Sequence, residues 1–354
     1  MSFSTIILHW YKKNKRDLPW RHTKDPYLIW LSEIILQQTR VEQGLPYYFR
    51  ISEKYPTVVS LANAKEDEIL RLWQGLGYYT RARNLHAAAR QIKNEFDSKF
   101  PTDYANIRSL KGVGEYTAAA IASFAFDLEY AVVDGNVFRL LSRYFGIKTP
   151  IDTGEGKKKF TALAGKLIKN YPPAIYNQAI MEFGARQCRP ANPSCEACPL
   201  NASCYAYCKN IVSKFPIKKN KTKSRNRYFN YLYIKQQNSF YIKKRIDNDI
   251  WLGLHDFPLI ETEKKTKESA FIGSAEWKKI FKDSKIKIAN ISPEYKHLLS
   301  HQKIHARFYE IILIQKSNLR LSKSWLKVND KNIGSFALPR LIERYLQGSE
   351  RLDN

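Results

Sequence analysis

Cysteine is missing from residues 1–187 and again after 208; all five cysteines fall between Cys188 and Cys208. A secreted protein stapled by disulfides would spread them through the fold, so an intracellular metal or cluster site is favoured over that class. Long apolar runs are missing too. None approaches the roughly 20 residues of a membrane span. At MSFSTIILHW, Ser2, Ser4, Thr5 and His9 interrupt the apolar residues, so no secretory signal is expected there. Acidic residues are scarce: 33 Asp and Glu face 59 Lys and Arg, a formal charge of +26. That excess goes beyond what solubility needs and points to a polyanion; without a membrane segment, nucleic acid is the expected partner. The expected location is the cytoplasm, associated with DNA.

At 354 residues the chain has room for two or three domains. Residues 1–210 read as helix after helix. DLPWR (17–21) is a polar turn, and Asp25-Pro26 reads as an N-cap with proline in the first turn. In the helix that follows, Glu33 sits among Ile29, Trp30 and Leu36 at helical spacing. A carboxyl with apolar neighbours loses solvation and keeps its proton towards neutral pH. LRLWQGLGYYTRARNLHAAARQI (70–92) holds a turn at Gly75 and Gly77, then Tyr78, Tyr79 and the interleaved Arg81, Arg83 and Arg90, a pattern suited to base stacking and phosphate contact.

The stretch LKGVGEYTAAAIASFAFDLEYAVVDGN (110–136) is the centre of the reading. Gly112, Val113 and Gly114 predict a tight turn opening a helix of small residues, whose outward N–H groups suit a DNA phosphate. Asp134 follows an apolar run beside a Gly-Asn turn, where it is placed for chemistry. Cys188, Cys195, Cys198 and Cys204 are spaced C-x₆-C-x₂-C-x₅-C with prolines between them. Tetrahedral zinc and a [4Fe–4S] cluster are the candidates; zinc sites usually pair two short knuckles, and only one C-x₂-C is present. Cys208 stands outside the pattern. Residues 211–227 are nearly all basic or polar and read as a flexible linker. Beyond it, YFNYLYI, SFYIKKR and HARFYEIILIQ read as strands, with helical patterns around SAEWKKIF and LPRLIERYL, so residues 228–348 are expected to form a separate α+β domain.

The pattern L-x-G-V-G-x-Y-T-A followed by V-D-G-N resembles the A/G-specific adenine glycosylases (MutY family) among the helix-hairpin-helix DNA glycosylases, and the cysteine spacing is also that of the endonuclease III and adenine glycosylase cluster loop. The resemblance covers residues 5–210 strongly and 228–345 loosely. It implies a mainly α catalytic region carrying one [4Fe–4S] cluster and a C-terminal Nudix-like domain. It implies a monofunctional enzyme, acting as a monomer on double-stranded DNA, that releases adenine mispaired with 8-oxoguanine or guanine in base excision repair. By this resemblance Glu33 is the general acid, Asp134 the electrostatic or covalent stabiliser, and Asn136 orients Asp134. Tyr116 stands where bifunctional relatives carry a Schiff-base lysine. Gln38 and Tyr78 match residues that push into the duplex, and Trp20, Arg21 and Gln178 match positions lining the adenine pocket.

In the C-terminal part, DIWLGLHDFP (249–258) matches the Nudix-like pattern partly. No Nudix box with clustered glutamates follows, so the module is expected to bind rather than hydrolyse. HLLSHQKIH (297–305) matches the lesion-recognition loop, with Leu299 in place of phenylalanine and Ser300 and His301 retained. Two rivals remain on the sequence alone: a lyase-type glycosylase, which would want lysine at 116, and a non-catalytic cluster protein, which would leave Glu33 and Asp134 as accidents.

Overall fold

The computed structural model describes residues 1–220, 224–282, 284–314, 319 and 324–349. The chain divides into two compact units. One comprises Met1–Asn63 with Asn84–Lys221; the other comprises Ala64–Arg83 with Thr222–Asn354.

Helices α1 (Phe3–Asn14), α2 (Pro26–Leu36), α3 (Val41–Lys54), α4 (Val58–Asn63), α5 (Glu66–Leu72) and α6 (Thr80–Glu95) come first. They are followed by α7 (Tyr104–Ser109), α8 (Glu115–Phe126), α9 (Gly135–Phe145), α10 (Gly154–Ile168), α11 (Pro173–Arg186) and the short α12 (Tyr205–Cys208). Local chemistry sets many of their starts. Ser2, Asp25, Asp103, Asp134 and Thr153 each accept a backbone N–H of the following turn, and Pro26 and Pro173 fill first-turn positions where no N–H is needed. Helix α2 is buried on every side from Ile29 to Ile35, as a helix apolar all round must be. The alanines of α8 let it lie close against α2. The core of this unit draws Phe3 and Ile7 of α1 onto Val137 and Leu141 of α9, Phe160 of α10, and Ile180 and Phe183 of α11. The chain's start is thus stapled to helices more than 130 residues later. Truncating one such leucine to alanine costs about 2–5 kcal/mol.

The second unit is built on a mixed sheet. Its strands are β1 (Arg225–Lys235), β2 (Ser239–Lys244), β3 (His255–Asp256), β4 (Leu259–Thr262), β5 (Ile286–Ile291), β6 (Tyr295–Leu298), β7 (Gln302–Leu313) and β8 (Trp325–Asn329). Its main path runs β3-β2-β1-β7-β5, with β4 on β1, β6 on β7 and β8 on β2. β1 and β7 pair in parallel from Arg225↔Gln302 to Lys235↔Ile312. A central parallel pair is covered on both faces, and β1 is buried continuously from Phe229 to Ile234. Leu232, Ile234, Tyr309 and Ile311 face Phe271 of α13 (Glu268–Ile272) and Trp277 and Phe281 of α14 (Ala275–Phe281). Phe308 stacks on Tyr345 of α15 (Arg340–Ser349), with ring centroids 4.0 Å apart.

Two expectations change. Residues 64–83, read as part of the helical region, pack with the C-terminal unit: Gln74 accepts from Leu338 N (3.3 Å) and contacts Glu343, and Arg83 donates to the Leu252 carbonyl. The linker is not flexible up to residue 220. Phe215 is buried, Ile151 N donates to Ile217 O (3.0 Å), and Lys219 N and Asn220 N both donate to Asp152 (2.8 Å each). One aromatic side chain and an acceptor carboxylate outweigh the basic composition. Residues 221–223 of that linker, and Gln315 at the end of the third expected strand, lie outside the described residues.

Candidate active site

Three elements of the first unit converge on one point. Glu33 projects from the middle of α2 and is 6% exposed. Tyr116, in the first turn of α8, donates its hydroxyl to Glu33 and also lies 3.9 Å from the sulfur of Met181. Asp134 is the N-cap of α9, accepting from Asn136 N (2.9 Å), Asn136 Nδ2 (2.6 Å) and Val137 N (2.8 Å). The two acids feel each other. Burial pushes the Glu33 carboxyl up to about 7; the Tyr116 hydrogen bond lowers it, the Asp134 charge raises it and Arg21 lowers it. Burial raises Asp134 too, and outweighs its donors from Val137 and Asn136 and the Arg139 charge, which pull it only part of the way back. Those donors and the amino end of α9 all favour the carboxylate form. The site therefore pairs an acid held protonated near neutrality with one surrounded by donors, the separation of roles that acid catalysis beside a cation needs.

Arg21 lies beside this pair. It stacks over the Tyr11 ring (5.6 Å) and donates to Glu182 (2.7 Å) and to the Arg16 carbonyl (2.9 Å). Tyr11 in turn donates to Gln178 (2.8 Å), so Arg21 and Gln178 share one wall. Trp20 is buried against Tyr48, ring centroids 5.1 Å apart. Tyr11, Arg16 and Glu182 were not singled out in the sequence. The available signal was Glu182 lying four residues beyond Gln178, on the same face of α11.

The hairpin joins α7 to α8. Gly112 has φ +79°, and a Cβ there would stand 2.6 Å from the Asn84 side chain, so only glycine fits. Gly112 and Gly114 are exposed. Val113, expected to face a phosphate, is instead buried, with its N–H donated to the Leu110 carbonyl (3.0 Å); it anchors the turn. Gln38 follows α2 with φ +57° and an exposed side chain.

In the second unit Tyr78 also has positive φ (+49°) and is 49% exposed. Its hydroxyl is 2.8 Å from Ser300 Oγ. Ser300 and His301 form the exposed tip of the β6–β7 hairpin, closed by Leu299 N donating to Gln302 O (2.8 Å). Leu299 is half-buried. The apolar side chain that stands out is Leu298, 72% exposed, which sequence reasoning missed. Arg81, expected at a phosphate, is buried beneath this turn. It stacks on Trp73 (5.3 Å) and Tyr78 (5.6 Å) and donates to Gly77 O (3.1 Å), because the flanking aromatics cover it.

The four cysteines line a single cavity with Leu140, Arg143 and Phe183 among its walls, and no carboxylate or histidine lines it. Arg143, buried on α9, donates to Cys188 Sγ (3.4 Å), Arg189 O (2.7 Å) and Pro190 O (3.1 Å). One turn earlier Arg139 donates to Cys188 O (2.7 Å), Gly184 O (2.7 Å) and Asn136 Oδ1 (2.8 Å). Four soft thiols around one cavity, with a guanidinium to offset thiolate charge, fit a sulfur-ligated centre. Cys208 is exposed, with its sulfur near the Asn201 and Ala202 carbonyls, outside the cavity lining.

Residues 31–168 match the HhH-GPD superfamily of base excision DNA repair proteins, and residues 230–348 match the NUDIX domain family. An adenine DNA glycosylase of Buchnera aphidicola subsp. Schizaphis graminum (strain Sg) is 36% identical over 355 residues, covering 98% of each chain. The chain belongs to the adenine DNA glycosylases. The Mus musculus adenine DNA glycosylase is 40% identical over 215 residues, 58% of this chain and 42% of its own length. A solved thermostable thymine-DNA glycosylase superposes with TM-score 0.55 at 33% identity, covering 58% of this chain and 95% of its own. As a member of the adenine DNA glycosylases this chain is a base excision repair enzyme, a hydrolase of N-glycosyl bonds. Among the described residues no helix is long and apolar enough to cross a membrane.

Proposed function

We propose that the enzyme releases adenine paired with 8-oxoguanine, or with guanine, from double-stranded DNA by monofunctional hydrolysis. The observation that carries this is the meeting of Glu33, Tyr116 and Asp134 beside the wall of Arg21 and Gln178. Adenine inside a duplex is out of reach, so the nucleotide must be turned out of the stack. Adenine then leaves poorly as an anion. Glu33, holding its proton near pH 7, donates it to a ring nitrogen, a step typically worth about 10²–10⁴-fold. The sugar left behind carries oxocarbenium character, which the Asp134 carboxylate stabilises. Asn136 fixes Asp134 through two of its three hydrogen bonds. With the proton gone, Glu33 can accept one from the incoming water. Tyr116 carries no amine, so strand cleavage through a Schiff base is not expected.

The Gly112–Gly114 turn holds a phosphate, and Gln38 and Tyr78 enter the stack from turns whose positive φ fixes their direction. Ser300, with Tyr78 at its hydroxyl, reads the oxidised base opposite, and Leu299 and His301 flank it. Cys188, Cys195, Cys198 and Cys204 would hold one [4Fe–4S] cluster, whose four iron–thiolate bonds would brace the loop. Arg143 supports the Cys188 thiolate through its hydrogen bond to Sγ (3.4 Å). The protein works as a monomer on cytoplasmic DNA. The test is single-turnover base release from duplexes carrying adenine opposite 8-oxoguanine, guanine or thymine. Release should be fastest opposite 8-oxoguanine, slower opposite guanine and negligible opposite thymine; equal rates for all three would end the proposal.

A further inference from the structure

Glu182 is used by nothing in the chemistry above, yet its side chain is 1% exposed, and although burial pushes its carboxyl up, the hydrogen bonds and charges of Arg16 and Arg21 hold it down at about 2. Its two oxygens accept four hydrogen bonds: from Arg16 N (3.1 Å), Arg16 Nε (2.8 Å), Arg16 Nη2 (2.9 Å) and Arg21 Nη2 (2.7 Å). Both arginines lie in the segment between α1 and α2, whose only regular structure is the single 3₁₀ turn Pro19–Arg21. Little in that backbone fixes two long side chains. Glu182, on the rigid α11, does: it grips Arg16 in a bidentate fork and joins it to Arg21, which also caps the Arg16 carbonyl.

The charge arithmetic matters as much as the geometry. Among the described residues, the charged or titratable groups acting on Glu33 are Tyr116 from α8, Asp134 from the cap of α9, and Arg21. Of these only Arg21 is positive, and a cation beside a carboxyl draws off its proton. Glu182 stands behind Arg21 and opposes that field. Among the described residues, the other carboxylate beside Arg16 is the exposed Glu42, at 3.8 Å.

We propose that Glu182 is a positioning residue that clamps Arg16 and Arg21 into one charge-balanced wall of the base pocket, presenting Arg21 to the adenine while offsetting its pull on the Glu33 proton. This rests on the reading of Glu33 as proton donor. Removal of the Glu182 charge leaves Arg21 without its carboxylate and Arg16 with the exposed Glu42 alone, so Glu33 gives up its proton at lower pH.

The test uses the full-length, iron-loaded protein and single-turnover adenine release across pH. Glu182→Gln keeps the volume and loses the charge. The alkaline limb of its profile should move down by roughly half a pH unit or more, and Glu182→Asp should bring it part of the way back. The double variant Arg16→Met/Glu182→Gln removes one cation with the anion and should return the limb towards its original position, even if the plateau rate stays low. An unmoved limb in Glu182→Gln overturns the inference, as does a double variant no better than the single. If Glu182→Gln does not fold, Arg16→Met with Glu182 kept carries the test: removing one cation leaves Glu182 to oppose Arg21 alone, so the limb should move up, and an unmoved limb overturns the charge balance. Glu33→Gln, run alongside, separates the failures. If it still releases adenine, the proton-donor reading falls first; if it is inactive and the Glu182 limb is unmoved, only this inference falls.

Discussion

Replacing Glu33 by glutamine should make the enzyme nearly inactive and, above neutral pH, more stable. The first half follows from losing the proton donor, at about 10²–10⁴-fold or more. The second follows from burial. In the unfolded chain the carboxyl ionises near 4.5, whereas in the folded protein burial makes it hold its proton to about 7. Between those values the folded state binds the extra proton, so stability falls as pH rises through that window. At about 1.4 kcal/mol per tenfold change in proton affinity, the full cost is about 3 kcal/mol. Glutamine carries no charge and still accepts the Tyr116 hydroxyl, so it escapes that cost. Urea unfolding should show the variant ahead by about 3 kcal/mol at pH 8.5 but only about 1 kcal/mol at pH 5.5. For a unit of this size the gain at high pH amounts to about 6–12 °C in Tm. An equal gain at both pH values would trace the effect to packing rather than charge. No gain at pH 8.5 would refute the buried, proton-holding carboxyl altogether.

The remaining predictions use other parts of the molecule. Asp134→Asn keeps a good N-cap for α9, so unfolding should change by less than about 1 kcal/mol while single-turnover release falls by at least about 10²-fold; a folded, active variant would remove Asp134 from the chemistry. Ser300→Ala should narrow the rate ratio between 8-oxoguanine and guanine partners by about tenfold, a single lost hydrogen bond, with adenine release from the guanine pair little altered; an unchanged ratio refutes the lesion-reading role. Duplex affinity should fall steeply with salt, with a log–log slope of about −0.9 per phosphate contact; a flat titration would assign the basic surface to another partner. Protein purified anaerobically should contain about four iron and four sulfide per chain, lost together on Cys198→Ala; stoichiometric zinc would refute the cluster.

The parts of the fold legible beforehand were those set by local chemistry. Asp25-Pro26, the Gly112–Gly114 turn and the aromatic, β-branched runs of β1 and β7 each announce their conformation within a few residues. β5, β6 and β8 are short and largely exposed, so their alternation of apolar residues is weak. The alliance of residues 64–83 with the C-terminal unit could not be read, because Gln74 finds Leu338 across 264 positions. Arg81 shows the same limit from the other side. Interleaving of arginine with aromatics suggests a nucleic-acid face, but the same pattern serves a cation folded under its own turn, and only burial distinguishes them. The candidate acids were legible because a lone glutamate in an apolar helix and an aspartate before Gly-Asn are each locally odd. Glu182 was not, since a glutamate on α11 looks ordinary until Arg16 arrives from 166 positions away.

Asp134 begins a helix and, on the function proposed above, also faces a sugar, and those duties make different demands. As a cap, asparagine or serine would serve about equally well, so folding alone leaves three residues interchangeable there. A screen that scores expression or solubility would pass all three. A screen that scores mutation rate in growing cells would pass one. The inactive pair would accumulate as abundant, correctly folded protein still able to sit on its mismatch, shielding it from any active copy.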